Sequence, residues 1–148
     1  MVEGLGDFNF SLALAAIGSA AGTGVAGMAA IGAWKKSFSQ NKAAPFILAG
    51  FVGAPLTQIF YGFILGVSIR KAAFPVDIQS YVFQMIIGLL AGAAIGMSAY
   101  MQGKVAARAS DALAETGKGL ANYMIIIGIV ESVALFVMIF CMISLPKV

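Results

Sequence analysis

The segment "YMIIIGIVESVALFVMIFCMISL", residues 123–145, holds a single charged residue, Glu131, inside an apolar run long enough to cross the hydrocarbon core of a bilayer as an α-helix. Three further stretches, 8–34, 46–69 and 81–107, are of the same kind, and with 120–145 they take up nearly the whole chain of 148 residues. With 61% hydrophobic and only 10% charged residues, the chain cannot cover a water-facing surface. The sequence therefore predicts an all-α membrane protein of four transmembrane helices.

The connections, "KKSFSQNKAAP", "RKAAFPVD" and "RASDALAETGKG", are short and polar, so consecutive helices run antiparallel and no soluble domain is left over. The first stretch opens with acidic Glu3 and Asp7 and ends in Trp34-Lys35-Lys36, which favours a mature helix over a signal peptide. Lys35, Lys36, Lys42, Lys104, Arg108 and Lys118 flank the first and third connections, against Arg70, Lys71 and Lys147 opposite. The positive-inside rule then puts both hairpin loops in the cytoplasm and both termini on the other side, where Glu3, Asp7 and Asp77 dilute the positive charge.

Several functions are excluded by what is missing. Cys141 is the one cysteine, so no internal disulfide forms, and the absence of histidine removes the commonest metal ligand and general base. The net charge of +3 is spread over short loops without a basic stripe, which argues against nucleic acid. The glycines lie in apolar helical stretches and lack the strand context of a nucleotide fingerprint.

Those glycines read as packing devices. Gly88, Gly92 and Gly96 recur every four residues in the third helix, and Gly18 and Gly22 do so in the first. The second and fourth helices are bulkier, with Phe51, Phe60, Tyr61 and Phe63 in one and Phe136, Met138, Phe140 and Met142 in the other. Such an alternation suits a closed ring of identical copies with slim helices inside and thick ones facing lipid; a compact four-helix monomer with one tight face is the other reading. The slim-thick-slim-thick order also suggests two fused hairpins, residues 1–74 and 75–148. In that alignment "PLTQIFYGF" matches "GIVESVALF", and Gln58 stands where the second hairpin has Glu131.

Depth decides which polar residues can meet. Helices rise about 1.5 Å per residue from a shared turn. Gln102 lies 14 residues before Thr116 and Glu131 lies 14 residues after Gly117, so the two share a height; Gln58 and Thr57 lie a similar distance beyond the first loop. No Lys or Arg is expected at comparable depth to neutralise Glu131. Because a bare carboxylate at mid-membrane is expensive, Glu131 must be protonated, bound to a cation or paired with another subunit. One carboxylate with the neutral oxygens of Thr57, Gln58 and Gln102 could replace the hydration shell of a small monovalent cation, whereas a proton needs one acceptor. Pro55 adds a further candidate, because a proline within a helix leaves a carbonyl one turn earlier unpaired, although a simple kink accounts for it equally.

With these residues in view, the chain resembles the membrane-rotor proteolipid, the c or K subunit, of V-type and A-type rotary ATPases. In its sodium-transporting members the second helix reads Pro-x-Thr-Gln-x-x-Tyr-Gly, the third Gln-Gly-Lys-Val and the fourth Val-Glu, and residues 55–62, 102–105 and 130–131 match at every position. The resemblance covers essentially the whole chain. It implies that Glu131 is the ion-binding carboxylate, that Thr57, Gln58 and Gln102 supply side-chain oxygens to Na+ and that Ala54 supplies its backbone carbonyl. Tyr61 would hydrogen-bond Glu131 and hold the site closed. Two departures stand out: the first loop is longer than its counterpart, and Ala54 replaces a leucine common in sodium members.

The resemblance further implies a homo-oligomeric ring in the bilayer, in the plasma membrane of a prokaryote, turning against a stator subunit with an essential arginine. The loops bearing Lys42, Arg108 and Lys118 would meet the central stalk. ATP chemistry would belong to other subunits, so the chain is expected to have no catalytic residues. A proton-carrying ring of the same family is the first alternative, and a non-rotary membrane scaffold the second.

Overall fold

The computed structural model describes residues 5–147, so Glu3, counted above toward the charge of one membrane face, lies outside them. The helices are α1 (Phe10–Ser39), α2 (Leu48–Gly53), α3 (Thr57–Lys71), α4 (Ile78–Thr116) and α5 (Leu120–Ser144), with a 3-10 turn at Ala54–Leu56 between α2 and α3. α2, the turn and α3 form one span, Leu48–Lys71, giving four helical spans among the described residues that are long and apolar enough to cross a membrane. Pro55 has no N–H to give to the carbonyl one turn earlier, and at that point the span tightens without ending.

The connections are shorter than the sequence suggested. "RASDALAETGKG", expected as a polar loop, is helical through Thr116, because Ala, Arg, Leu and Glu are strong helix formers and Ala106, Ala109, Ser110 and Leu113 are buried. With 39 residues α4 is about 58 Å long, nearly twice the hydrocarbon thickness, so its ends project beyond it. The turn into α5 is left to Gly117, Lys118 and Gly119. Gly117 (φ +64) and Gly119 (φ +87) take the left-handed conformation that side chains resist, and the Gly117 amide closes α4 on the Leu113 carbonyl at 2.8 Å. α1 likewise runs on through Lys35 and Lys36 to Ser39.

α1 and α4 lie parallel and closer than side chains would permit. A Cβ on Gly18 would meet the Gly96 backbone, one on Gly96 the Leu14 carbonyl, one on Gly103 the Gly22 backbone, and one on Gly92 the Cα of Ser11 at 2.8 Å. The glycine repeats are thus the contact surface of the two slim helices, as their spacing predicted. α3 packs antiparallel on α1 through Gly62, against Ala15. Phe60, Phe63, Phe136 and Phe140 point outward, but Phe51 is fully buried and Met138 nearly so, which departs from the expectation that every bulky residue of these spans faces lipid.

Two apolar clusters fill the interior. One, near the loops, gathers Ala26, Ala30, Leu48, Phe51, Ala106 and Ile127; the other gathers Ala15, Leu65, Ile69, Ile95, Ala134 and Met138, with partly buried Cys141 against it. By position along every helix, Gln58, Gln102 and Glu131 fall between the two. At the loop end the Trp34 indole N–H donates to the Pro45 carbonyl at 2.9 Å and pins the first connection, and Lys36 pairs with Glu115 on the surface at 2.6 Å.

Asp7 does not dilute surface charge as the sequence suggested. It is buried, accepts the backbone N–H groups of Asn9 (3.0 Å) and Ser11 (2.9 Å), and caps the start of α1. Its carboxylate occupies the space that side chains at Gly66 and Gly88 would fill. Gly88, expected as a helix-packing glycine, is thus also the floor of a slot for a carboxylate.

Candidate polar site at mid-membrane

Four helical segments build the polar layer. The tightened turn at Ala54–Leu56 delivers Thr57 and Gln58 at the start of α3, Tyr61 follows one turn later, α4 contributes Gln102 and α5 contributes Glu131. Equal depth, read from the distance to the Gly117 turn, correctly anticipated the meeting of Gln102 and Glu131.

The contacts form a continuous chain. The Thr57 hydroxyl lies 3.1 Å from the Ala54 carbonyl and 3.2 Å from Gln58 Oε1, both acceptors for its one proton. Gln58 Nε2 donates to Gln102 Oε1 at 2.7 Å. Gln102 Nε2 donates to the Ile127 carbonyl at 3.1 Å and to Glu131 Oε2 at 3.3 Å, and the Tyr61 hydroxyl donates to Glu131 Oε1 at 2.7 Å. The side chains of Thr57, Gln58, Tyr61, Gln102 and Glu131, together with the Ala54 carbonyl, are therefore in one network. Gln58 and Gln102 are fully buried, which an amide tolerates in hydrocarbon only when its donors and acceptors are engaged.

One expectation is corrected. Lys104 follows Gln102 by only half a turn, so a cation does lie at comparable depth. It does not serve Glu131: its side chain is exposed, with the ammonium 5.5 Å from the centre of the Tyr100 ring, and Lys36–Glu115 is the ion pair found among the described residues. A lysine two positions from a helix-facing glutamine points to a different side of the helix, because successive residues turn by about 100°.

Ser98 was missed. Its hydroxyl donates to the Val130 carbonyl at 2.8 Å, crossing from α4 to α5 beside Glu131. The signal was available, since Ser98 and Gln102 are four residues apart and share one face of α4.

Among the described residues no three His, Cys, Asp or Glu side chains converge. A cation in this layer would rest on one carboxylate and neutral oxygens, a hard donor set unsuited to soft transition metals. Residues 85–144, which include Gln102, Glu131 and the whole α4–α5 turn, match the family of the ATP synthase C subunit. No curated relative matches the chain.

Proposed function

We propose that this chain is the ion-carrying component of the membrane rotor ring of a V/A-type rotary ATPase, with Glu131 as the carrier and Na+ as its cargo. The observation that carries this reading is the joining of Glu131 to Tyr61 and Gln102, and through Gln102 to Gln58 and Thr57, between two apolar layers. The match of residues 85–144 to the ATP synthase C-subunit family, a non-catalytic proteolipid family, supports the rotor role; ATP chemistry then resides on other subunits. The parallel course of α1 and α4 supports a chain made of two like hairpins, 1–74 and 75–148, only the second of which keeps a carboxylate.

In this mechanism Glu131 holds the ion while the ring turns through the bilayer. A stator arginine displaces the ion, and the site reloads from the opposite face of the membrane. The choice of Na+ rests on the oxygen count. A proton on Glu131 would leave Thr57, Gln58 and Gln102 as a polar cluster larger than its needs, whereas a sodium ion uses all three with the Ala54 carbonyl. The slim α1–α4 face suits the inner circumference of a homo-oligomeric ring, with the loop ends toward the cytoplasm and a central stalk.

The test is labelling of Glu131 by a carbodiimide, which attacks the protonated acid. Sodium should protect in a concentration-dependent way, more strongly as pH rises, and potassium poorly. Labelling indifferent to sodium would replace this reading with a proton-carrying ring. A monomer or dimer in mild detergent, in place of a large closed assembly, would favour a non-rotary scaffold.

A further inference from the structure

α5 is the least covered span: Ile127, Ala134 and Met138 are its buried residues. In a bilayer, apolar contact does little to fix the rotation of such a helix, so directional bonds to its neighbours decide it. α4 supplies two that reach the α5 backbone, from Gln102 to the Ile127 carbonyl and from Ser98 to the Val130 carbonyl. These bonds take hold of successive turns, and Val130 is the residue before Glu131. Ser98 is also unlike the serines that fold back on their own helix. Ser37, Ser68, Ser110, Ser132 and Ser144 each donate to the carbonyl four residues earlier, while Ser98 spends its hydroxyl on the neighbouring helix.

We propose that Ser98 is a positioning residue that fixes the rotational setting of α5, and thereby the aim of Glu131 at Thr57, Gln58 and Gln102, so that the site favours a coordinated cation over a proton. The inference rests on the reading of Glu131 as the ion carrier. The geometry makes the effect selective. A glutamate carboxylate stands about 5–6 Å from its helix axis, so a rotation of about 10° moves it by about 1 Å. Metal–ligand distances tolerate only about 0.2 Å, and a cation sharing ligands from α3, α4 and α5 feels such a shift fully. A proton travels with the carboxylate and needs one acceptor, not a set of oxygens held on three helices.

The experiment compares assembled rings of the wild type, Ser98→Ala and Ser98→Thr in membranes. Two curves are measured for each: carbodiimide labelling of Glu131 against sodium concentration, and labelling against pH without sodium. Loss of the hydroxyl should raise the half-protecting sodium concentration about tenfold, the scale of losing a residue that orients a metal ligand. The sodium-free pH profile should not move, and Ser98→Thr should behave as wild type. Should Ser98→Ala fail to assemble, Ser98→Cys keeps the volume with a weaker donor and should show an intermediate shift. The proposal is overturned if Ser98→Ala retains wild-type sodium protection, if its sodium and pH curves shift together, or if Ser98→Thr is as impaired as Ser98→Ala. A wild type that sodium fails to protect overturns the ion reading itself, and this inference with it; that outcome is visible in the wild-type curve alone.

Discussion

The Tyr61 hydroxyl donates to Glu131 Oε1 across 2.7 Å, tying α3 to α5 at the outer edge of the polar layer. A hydrogen bond to a charged group is worth about 1.5–3 kcal/mol, and this one also holds the carboxylate in a single orientation. Tyr61→Phe keeps the ring and removes only that donor. The half-protecting sodium concentration should rise by about tenfold or more, as expected for losing roughly 1.4 kcal/mol of differential stabilisation. Wild-type protection in Tyr61→Phe would mean that the phenol is a bystander.

Glu131→Gln should leave the ring assembled while abolishing coupled transport. The amide is nearly isosteric with the carboxylate, so the contacts with Tyr61 and Gln102 can be remade around a neutral group. What disappears is the negative oxygen that holds the ion. In the reconstituted complex, ATP-driven ion uptake should fall to background with normal ring yield; uptake at the normal rate would assign the carrier elsewhere.

Much of this architecture was legible because membrane helices reveal themselves by length and because depth is simple arithmetic. Gln102 and Glu131 could be matched in height from the Gly117 turn alone. The ends of the helices were less legible, since polarity marks the edge of the hydrocarbon and not the end of a helix: Asp111 and Glu115 are charged yet lie within α4. The rotational setting of side chains was hidden for a related reason. Spacing along α4 puts Ser98 on the face of Gln102 and turns Lys104 away from it, but nothing in the apolar composition of α5 says which of its carbonyls meets that face, so Val130 as the partner of Ser98 emerged only with the packed helices. Asp7 was misread because an acid at a chain end is usually solvated, and the slot that receives it comes from Gly66 and Gly88, far away in sequence.

Some glycines meet backbone, some meet side chains and some meet nothing. A Cβ at Gly103 would collide with the Gly22 backbone, while at Gly128 there is nothing within 4 Å. Gly103→Ala should force α1 and α4 apart and destabilise the fold by about 1–3 kcal/mol. Gly128→Ala, at an open surface position, should stay within about 0.5 kcal/mol of wild type. Denaturant or thermal unfolding in mild detergent gives the comparison. Equal tolerance at the two sites would contradict the close approach of the slim helices, and Gly92→Leu should block ring formation without preventing membrane insertion.

Asp7 allows the start of α1 to be tested separately from the polar layer. Its carboxylate caps α1 through the amides of Asn9 and Ser11 and fills the slot above Gly66 and Gly88. The flanking residues are held under strain, since Phe8 (φ 53) and Asn9 (φ 63) both adopt the left-handed conformation. Without the carboxylate the slot above Gly66 and Gly88 empties, and the Asn9 and Ser11 amides at the start of α1 lose their acceptor. Asp7→Ala should therefore cost about 1–2 kcal/mol and expose the start of α1 to protease. Asp7→Asn, which keeps an acceptor oxygen of similar size, should lose less. The ion site should not notice. Gly88 lies about 21 Å along α4 from Gln102, so sodium protection of Glu131 should be that of the wild type in any Asp7 variant that still assembles. Reduced stability with unchanged protection is the expected pair of results. An Asp7→Ala ring as stable as the wild type would show that the buried carboxylate is not a latch, and a shifted sodium curve would mean that the far end of α1 is coupled to the carrier.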